Sequence, residues 1–144
     1  MGGDELGLID YGVITTPAEW PLPRRLLHIH QELTALIQKH RPTDAVVEKL
    51  FFSKNVRTAL SVGQARGVAL LAAAQAGLTV HEYTPLEIKQ AVVGYGRAEK
   101  RQIQQMVQVL LQLDFVPQPD DAADALAVAI CRAHSARLER LKGE

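Results

Sequence analysis

The sequence predicts an α/β fold in which helices flank a mixed, partly parallel sheet. Strand-like and helix-like segments alternate along the chain, and a short apolar run at Ala45, Val46 and Val47 is bounded by turn residues. Other apolar residues recur with the period of a helix. Because 144 residues suffice for one hydrophobic core, we predict a single domain over residues 1–144.

The first half of the chain contains two predicted strands and two predicted helices. Residues 6–16 have the apolar content of a strand, and residues 21–40 have the apolar spacing of a helix that starts at a pair of prolines. Residues 45–47 indicate a buried parallel strand. Residues 55–76 are rich in Ala, Leu and Val, which predicts a long helix that ends at Gly77.

The second half of the chain continues the alternation with one strand and three helices. Residues 78–83 predict a strand, and residues 85–93 predict a short helix that begins at a proline. Residues 97–113 have the amphipathic pattern of a longer helix. Two further prolines separate it from a final helix, which we predict over residues 120–138.

Composition restricts the class of protein. The chain has 16 basic and 16 acidic residues, which argues against nucleic-acid coating by bulk charge. No apolar run is long enough for a membrane span, and the N-terminus lacks the regions of a signal peptide. Cys131 is the one cysteine, which fits a reducing compartment. We therefore predict a cytoplasmic protein without membrane contact.

The distribution of charge is less neutral than its total. Residues 49–81 contain two lysines and two arginines before His81 but no acid. A basic surface beside an acidic site is one interpretation of this pattern, and a solvated helix face is the commoner one.

Three acids are candidate ligands of a metal. Glu48 directly follows a predicted buried strand, at the edge where open α/β sheets bind ligands, although it could equally mark the exit of the strand into solvent. Asp121 and Asp124 are three residues apart near the start of the last helix and share a face, whereas Asp120 is better explained as a helix cap. Carboxylate ligands favour Mg²⁺ or Mn²⁺, and two such ions could support phosphodiester hydrolysis.

Other chemistries have weaker support. Cys131 lies in an apolar helix and is better explained as a core residue than as a nucleophile. His28 and His30 cannot share a helix face, so they do not form a zinc site. Phe51 and Phe52 follow Glu48 among lysines, and one of them could stack on nucleic-acid bases while the other belongs to the core.

Several stretches together resemble the RuvC family of Holliday junction resolvases, over about residues 6–134. They occur in the order of the family, and they are EKLFFSKN (48–55), GQARGV (63–68), IKQAVVG (88–94), GRAEK (96–100) and DAADALA (121–127).

The resemblance implies a fold, an activity and partners. The implied fold is RNase H-like, and the implied activity is metal-dependent cleavage of four-way junction DNA by a homodimer, in recombination and repair. It also implies branch-migration helicases as partners, and Mg²⁺, with Mn²⁺ as a substitute, as the cofactor.

By the same resemblance, three acids would hold the metal and catalyse, and three further residues would bind DNA. The acids are Glu48, Asp121 and Asp124, and the DNA-binding residues are Phe51, Lys89 and Lys100.

One departure from the family concerns the first catalytic acid. The family begins with a strand that ends in Gly-Ile-Asp-Pro-Gly, and nothing in this chain matches it; Asp10 lies too close to Glu48 to take that place. We therefore expect a fold that is truncated at its N-terminus and either folds poorly or cleaves weakly. The rival functions are an inactive junction-binding module and, more distantly, a small-ligand α/β enzyme that uses Glu48 and Asp124.

Overall fold

The computed structural model describes residues 5–49 and 56–143, with the backbone alone at residues 56–60. These residues form five helices and two strands, which follow the predicted order from residue 21 onward. In chain order they are α1 (Leu22–His40), β1 (Asp44–Glu48), α2 (Val56–Gln75), β2 (Thr79–Tyr83), α3 (Pro85–Val92), α4 (Lys100–Leu110) and α5 (Asp120–Gly143).

The described residues divide into two compact units. The first unit contains residues 5–13, 46–49 and 82–143, and the second contains residues 14–45 and 56–81. The prediction of a single domain over residues 1–144 remains a prediction, because compactness alone does not show whether the units fold separately.

The second unit is built on the packing of α1 against α2. Helix α1 begins after Pro21, as the sequence predicts, and ends at Arg41, whose left-handed φ of 47° stops the helix. Gly77 follows α2 with a φ of 74°, which glycine adopts at little cost. His30 and Gln75 join the two helices by a hydrogen bond of 2.7 Å.

The sheet of the described residues has two strands, β1 and β2, which run parallel. The backbone N–H of Lys49 donates to the carbonyl of Tyr83 at 2.8 Å. The predicted strand at residues 45–47 is confirmed, but the prediction that it is buried is wrong. Its residues are partly accessible because the sheet offers β1 one hydrogen-bonded neighbour.

The first unit has the hydrophobic core, which forms where α3 and α4 pack against α5. Two capping boxes fix the starts of α3 and α4, one between Thr84 and Glu87 and one between Glu99 and Gln102. The buried core consists of Ile88, Val92, Ala98, Ile103, Val107, Leu111, Leu126, Ala127, Val128, Ile130 and Cys131.

The predicted strand over residues 6–16 is wrong, because this segment adopts no regular secondary structure. Its apolar residues still contribute to packing: Leu6, Leu8 and Tyr11 contact the core, and the ring of Tyr11 lies 6.4 Å from that of Phe115. A strand requires a hydrogen-bonded neighbour. Among the described residues, β1 and β2 pair with each other only, so residues 6–16 pair with neither strand.

Three helix boundaries differ from the prediction by three residues or more, and one of them is the end of α4, which lies at Leu110 rather than at residue 113. Helix α4 starts at Lys100 rather than at residue 97, because Glu99 is the N-cap, and its backbone N–H donates a hydrogen bond of 2.8 Å to the side-chain Oε1 of Gln102. Helix α5 continues to Gly143, past the predicted end at residue 138. No helix in the described part of the chain is sufficiently long and apolar to cross a membrane.

Candidate active site

A cavity of about 290 Å³ lies in the first unit, where the end of β1 meets α3, α4 and α5. Its walls combine charged and apolar side chains, so that polar groups are presented against a hydrophobic background. The residues that line it are Glu48, Pro85, Ile88, Lys89, Lys100, Ile103, Asp124, Ala127 and Val128.

Glu48 is the last residue of β1, so the strand directs it to the cavity. Partial burial raises the pKa of its carboxyl group above the ordinary value, the negative charge of Asp124 raises it further, and the positive charge of Lys89 lowers it. Two acids that face one cavity, one of them with a raised pKa, are a site where a cation would be stabilised.

Asp124 reaches the cavity from the second turn of α5 and is paired with Lys100 at the start of α4. The Lys100 ammonium lies 3.6 Å from Asp124 Oδ2 and also 3.6 Å from Asp120 Oδ2. The charges of Asp124 and Asp120 raise the pKa of Lys100, so this side chain is fully cationic at neutral pH. Asp120 in turn accepts a hydrogen bond of 3.0 Å from Gln104 Nε2.

The structure brings four of the predicted site residues to this cavity. Glu48, Lys89, Lys100 and Asp124 all line it. Asp121 is not a lining residue and is exposed, one helical turn before Asp124.

The aromatic candidates and Asp10 are not among the described residues that line the cavity. Phe51, predicted to bind DNA, and its alternative Phe52 lie outside the described residues. Asp10 does not line the cavity, and its carboxylate accepts a hydrogen bond of 2.8 Å from the backbone of Tyr11.

Two residues at this site have contacts that the sequence did not predict. The contacts of Asp120 with Lys100 and Gln104 are not explained by the capping role that its position suggests. Gln104 was not predicted as a site residue, although its spacing of four residues from Lys100 places both side chains on one face of α4. Asp120 and Asp124 have the same spacing on α5. These two pairs of polar residues could therefore have indicated the contacts between α4 and α5.

The carboxylates fit a single hard cation better than a cage made entirely of protein ligands. Within the described part of the chain, no group of three His, Cys, Asp or Glu side chains could hold a metal ion. Glu48 and Asp124 nevertheless face one cavity, and the negative charge of Asp124 raises the pKa of Glu48. Because Mg²⁺ is commonly bound through one or two carboxylates plus water and phosphate, these two residues are a sufficient protein contribution for it.

Cys131 takes the structural role that the sequence predicts. Its side chain is buried in the core, and its thiol lies 3.8 Å from the carbonyl oxygen of Glu87. Burial raises the pKa of the thiol, and the charge of Glu87 raises it further, which disfavours the reactive thiolate. The core interpretation is therefore confirmed.

Comparison with known proteins identifies the family. The model of the family described as crossover junction endodeoxyribonuclease RuvC matches residues 1–132. The chain belongs to the RuvC family. A RuvC of Chloroflexus aurantiacus is 63% identical over 131 residues, which cover 91% of this chain and 80% of that protein. A RuvC of Desulfitobacterium hafniense is 60% identical over 136 residues, which cover 94% of this chain and 82% of that protein.

Solved RuvC structures support the same assignment. A structure of Thermus thermophilus RuvC matches with a TM-score of 0.88 and 36% identity, over 96% of this chain and 83% of that one. The structure of T. thermophilus RuvC in complex with a Holliday junction substrate matches with a TM-score of 0.90 and 36% identity, over 95% and 83% of the two chains. The RNase H-like α/β fold predicted from the RuvC resemblance is therefore confirmed.

Proposed function

We propose that this chain is a structure-selective DNA endonuclease that resolves four-way junctions by metal-dependent phosphodiester hydrolysis. The observation that carries the proposal is the joint placement of two acids and two lysines, Glu48, Asp124, Lys89 and Lys100, around one cavity in a RuvC-family chain. The acids suit a divalent cation, and the lysines suit the phosphate that the cation would share.

In this proposal the acids and the lysines have separate tasks. Glu48 and Asp124 hold Mg²⁺, or Mn²⁺ as a substitute, and Asp121 assists from the preceding turn of α5. When bound, the cation supplies Lewis-acid stabilisation of the phosphate and a water of lowered pKa. Lys89 and Lys100 donate hydrogen bonds to phosphate oxygens and stabilise the negative charge that develops on them.

The apolar walls of the cavity strengthen these interactions. Ile88 and Ile103 are buried core residues that also line the cavity, so part of its wall is apolar. Charges interact more strongly where the surroundings are less polar. We assign DNA stacking to Phe51, on the basis of the sequence resemblance.

Nicking of a labelled four-way junction tests the proposal. The unaltered chain, incubated with Mg²⁺ or Mn²⁺, is compared with Glu48→Gln and Asp124→Asn, which keep the side-chain shape and remove the negative charge. We expect metal-dependent nicks that both substitutions reduce by about a hundredfold or more, as is usual when a group that stabilises the transition state is lost. Asp114→Asn, an exposed acid outside the cavity, is the matched control and should nick normally.

A junction-binding module without catalysis is the second candidate function. The observation that favours it is the pairing of Asp124 with Lys100, which occupies a predicted metal ligand, together with the lack of a three-residue ligand group in the described residues. Preference for branched over linear DNA, with no nicks under any divalent cation, would support this candidate and exclude the nuclease.

We further propose that the protein acts as a homodimer in the cytoplasm. A two-fold dimer presents two identical sites, which suits cutting of paired strands in a four-way junction. Helix α2 is the proposed dimer face because small residues recur along it every four positions, at Ala59, Gly63 and Gly67. Branch-migration helicases are proposed as partners from the family resemblance.

A further inference from the structure

A small polar network joins the starts of α4 and α5 at the rim of the cavity. Lys100 and Gln104 project from one face of α4, and Asp120 and Asp124 project from one face of α5. The Lys100 ammonium is equidistant, at 3.6 Å, from both carboxylates, and Gln104 donates a hydrogen bond of 3.0 Å to Asp120. Of the four side chains, Lys100 and Asp124 line the cavity, whereas Asp120 and Gln104 do not.

In the proposed function, two cations compete for the carboxylate of Asp124: the Lys100 ammonium and the divalent ion. Asp124 cannot bind both at full strength. When the ion takes Asp124, Lys100 loses one partner but keeps the other. We propose that Asp120, oriented by Gln104, is a positioning residue that holds Lys100 at the cavity while Asp124 binds the metal. This inference rests on the proposed function, because it assigns Asp124 to the metal.

Stabilisation of the fold does not explain the network equally well. The side chains of Lys100 and Asp120 are each 55% exposed, and ion pairs between exposed groups contribute little to stability. The network does explain how the carboxylate of Asp120 is oriented, because Gln104 restrains it from the same face of α4 that presents Lys100. A lysine that keeps one partner is also easier to displace from Asp124 than a lysine that would lose its last one.

A double-mutant cycle with Mn²⁺ as the probe tests the inference by calorimetry on the full chain without DNA. Gln104→Leu changes no charge, so it affects metal binding only by releasing Asp120. We expect it to weaken Mn²⁺ binding about twofold, and Asp120→Asn to weaken it about two- to fivefold, the range of coupling between neighbouring exposed groups. Lys100→Met removes the competing cation and should tighten Mn²⁺ binding.

The decisive comparison is made in the Lys100→Met background. There Gln104→Leu should have no effect, because the lysine through which Asp120 acts is gone. An unchanged effect of Gln104→Leu in that background would overturn the inference, since it would show that Asp120 acts on the metal directly. Gln105→Leu, an exposed neighbour on α4, is the matched control and should bind Mn²⁺ normally.

A kinetic measurement separates positioning from a structural role. Asp120→Asn should slow single-turnover nicking of the junction about two- to fivefold and change the Kd for the junction less than twofold, whereas a general loss of structure would change both. Asp120→Glu keeps the charge and should recover part of the rate. Equal loss of rate and affinity would overturn the inference.

The two proposals fail in different ways. If the unaltered chain and its variants bind Mn²⁺ as the double-mutant cycle predicts but the unaltered chain does not nick, the proposed nuclease function is wrong and the positioning role of Asp120 is supported. If the unaltered chain nicks while Gln104→Leu and Asp120→Asn bind Mn²⁺ as the unaltered chain does, the positioning role of Asp120 is wrong and the nuclease function is supported. Absence of Mn²⁺ binding by the unaltered chain would overturn the positioning role of Asp120 as well, because that role requires Asp124 to bind the metal.

Discussion

The charge on Glu48 depends on two neighbours of opposite sign. Burial is the largest cause of its raised pKa, Asp124 adds to the shift, and Lys89 opposes it. Because the folded chain holds this proton more tightly than the unfolded chain, stability falls as the pH rises from 4.5, the ordinary pKa, through the raised value. A bound cation would compete with the proton, so metal binding should strengthen over the same pH range.

Substitution of the two neighbours should move the pKa of Glu48 in opposite directions. Lys89→Met removes the favourable charge and should raise the pKa further, whereas Asp124→Asn removes the unfavourable charge and should lower it. Titration of the Glu48 carboxyl carbon by NMR measures both shifts in metal-free protein. Lys142→Met, at the exposed end of α5, is the control, and a shift of equal size in that variant would contradict the assignment.

Sequence reasoning correctly brought together four residues whose position along an element determines where they lie, and their roles stay predictions. Glu48 follows a strand, and Lys89, Lys100 and Asp124 stand in family motifs, and the structure gathers all four at one cavity. It did not predict the contacts of Asp120. Its position at a helix start suggests a cap, but its contacts come from α4, and tertiary partners of this kind cannot be inferred from local position.

Elements were predicted well where the signal is local and poorly where it needs a partner. The five helices were predicted because apolar periodicity and flanking prolines or glycines are local signals. The true start of α4 depends on the capping box at Glu99, which an amphipathic pattern does not encode. Residues 6–16 have strand-like composition, but strand formation also depends on a neighbour, which their own sequence cannot supply.

Helix α4 offers a direct test of the core of the first unit. Val107 is fully buried between α4 and its neighbours, whereas Val109, on the same helix, is 64% exposed. We expect Val107→Ala to lower the free energy of unfolding by about 2 kcal/mol, because it removes two methyl groups from a packed site. Val109→Ala should change it by less than about 0.5 kcal/mol.

Urea denaturation followed by circular dichroism measures both variants of α4 under the same conditions. Equal effects of the two substitutions would contradict the placement of α4 in the core. The comparison is well controlled because both changes replace valine by alanine within one helix, so differences in helix propensity cancel.

At the scale of the whole molecule, the chain combines zero net charge with a site that holds lysines and acids together. The equal numbers of basic and acidic residues mean that any electrostatic attraction of an anionic partner must come from the local distribution of charge rather than from the net charge. The RNase H-like fold was predictable from the family resemblance rather than from periodicity. Alternation of strands and helices predicts an α/β class but does not give the order of strands in a sheet.

The proposed dimer gives a prediction in which stability and assembly change in opposite directions. A Cβ atom added at Gly63 of α2 meets no heavy atom within 4 Å beyond its chain neighbours and the nearby backbone of its own helix, so the position where the side chain of Gly63→Leu begins is open. Because leucine favours a helix over glycine, the variant should gain about 0.5 to 1 kcal/mol in helix stability. A leucine would, however, hold another backbone away from this face, so the dimer should dissociate.

Sedimentation of a concentration series, with thermal melting of the same samples, distinguishes these effects. We expect the unaltered chain to form dimers, and Gly63→Leu to remain monomeric and folded at the same concentrations. Ser61→Leu adds the same side chain two residues earlier, which on an α-helix is about 200° around the axis, and it should still dimerise. A Gly63→Leu chain that dimerises as the unaltered chain does would place the dimer face elsewhere, because a leucine side chain on this stripe is incompatible with close approach of a second backbone.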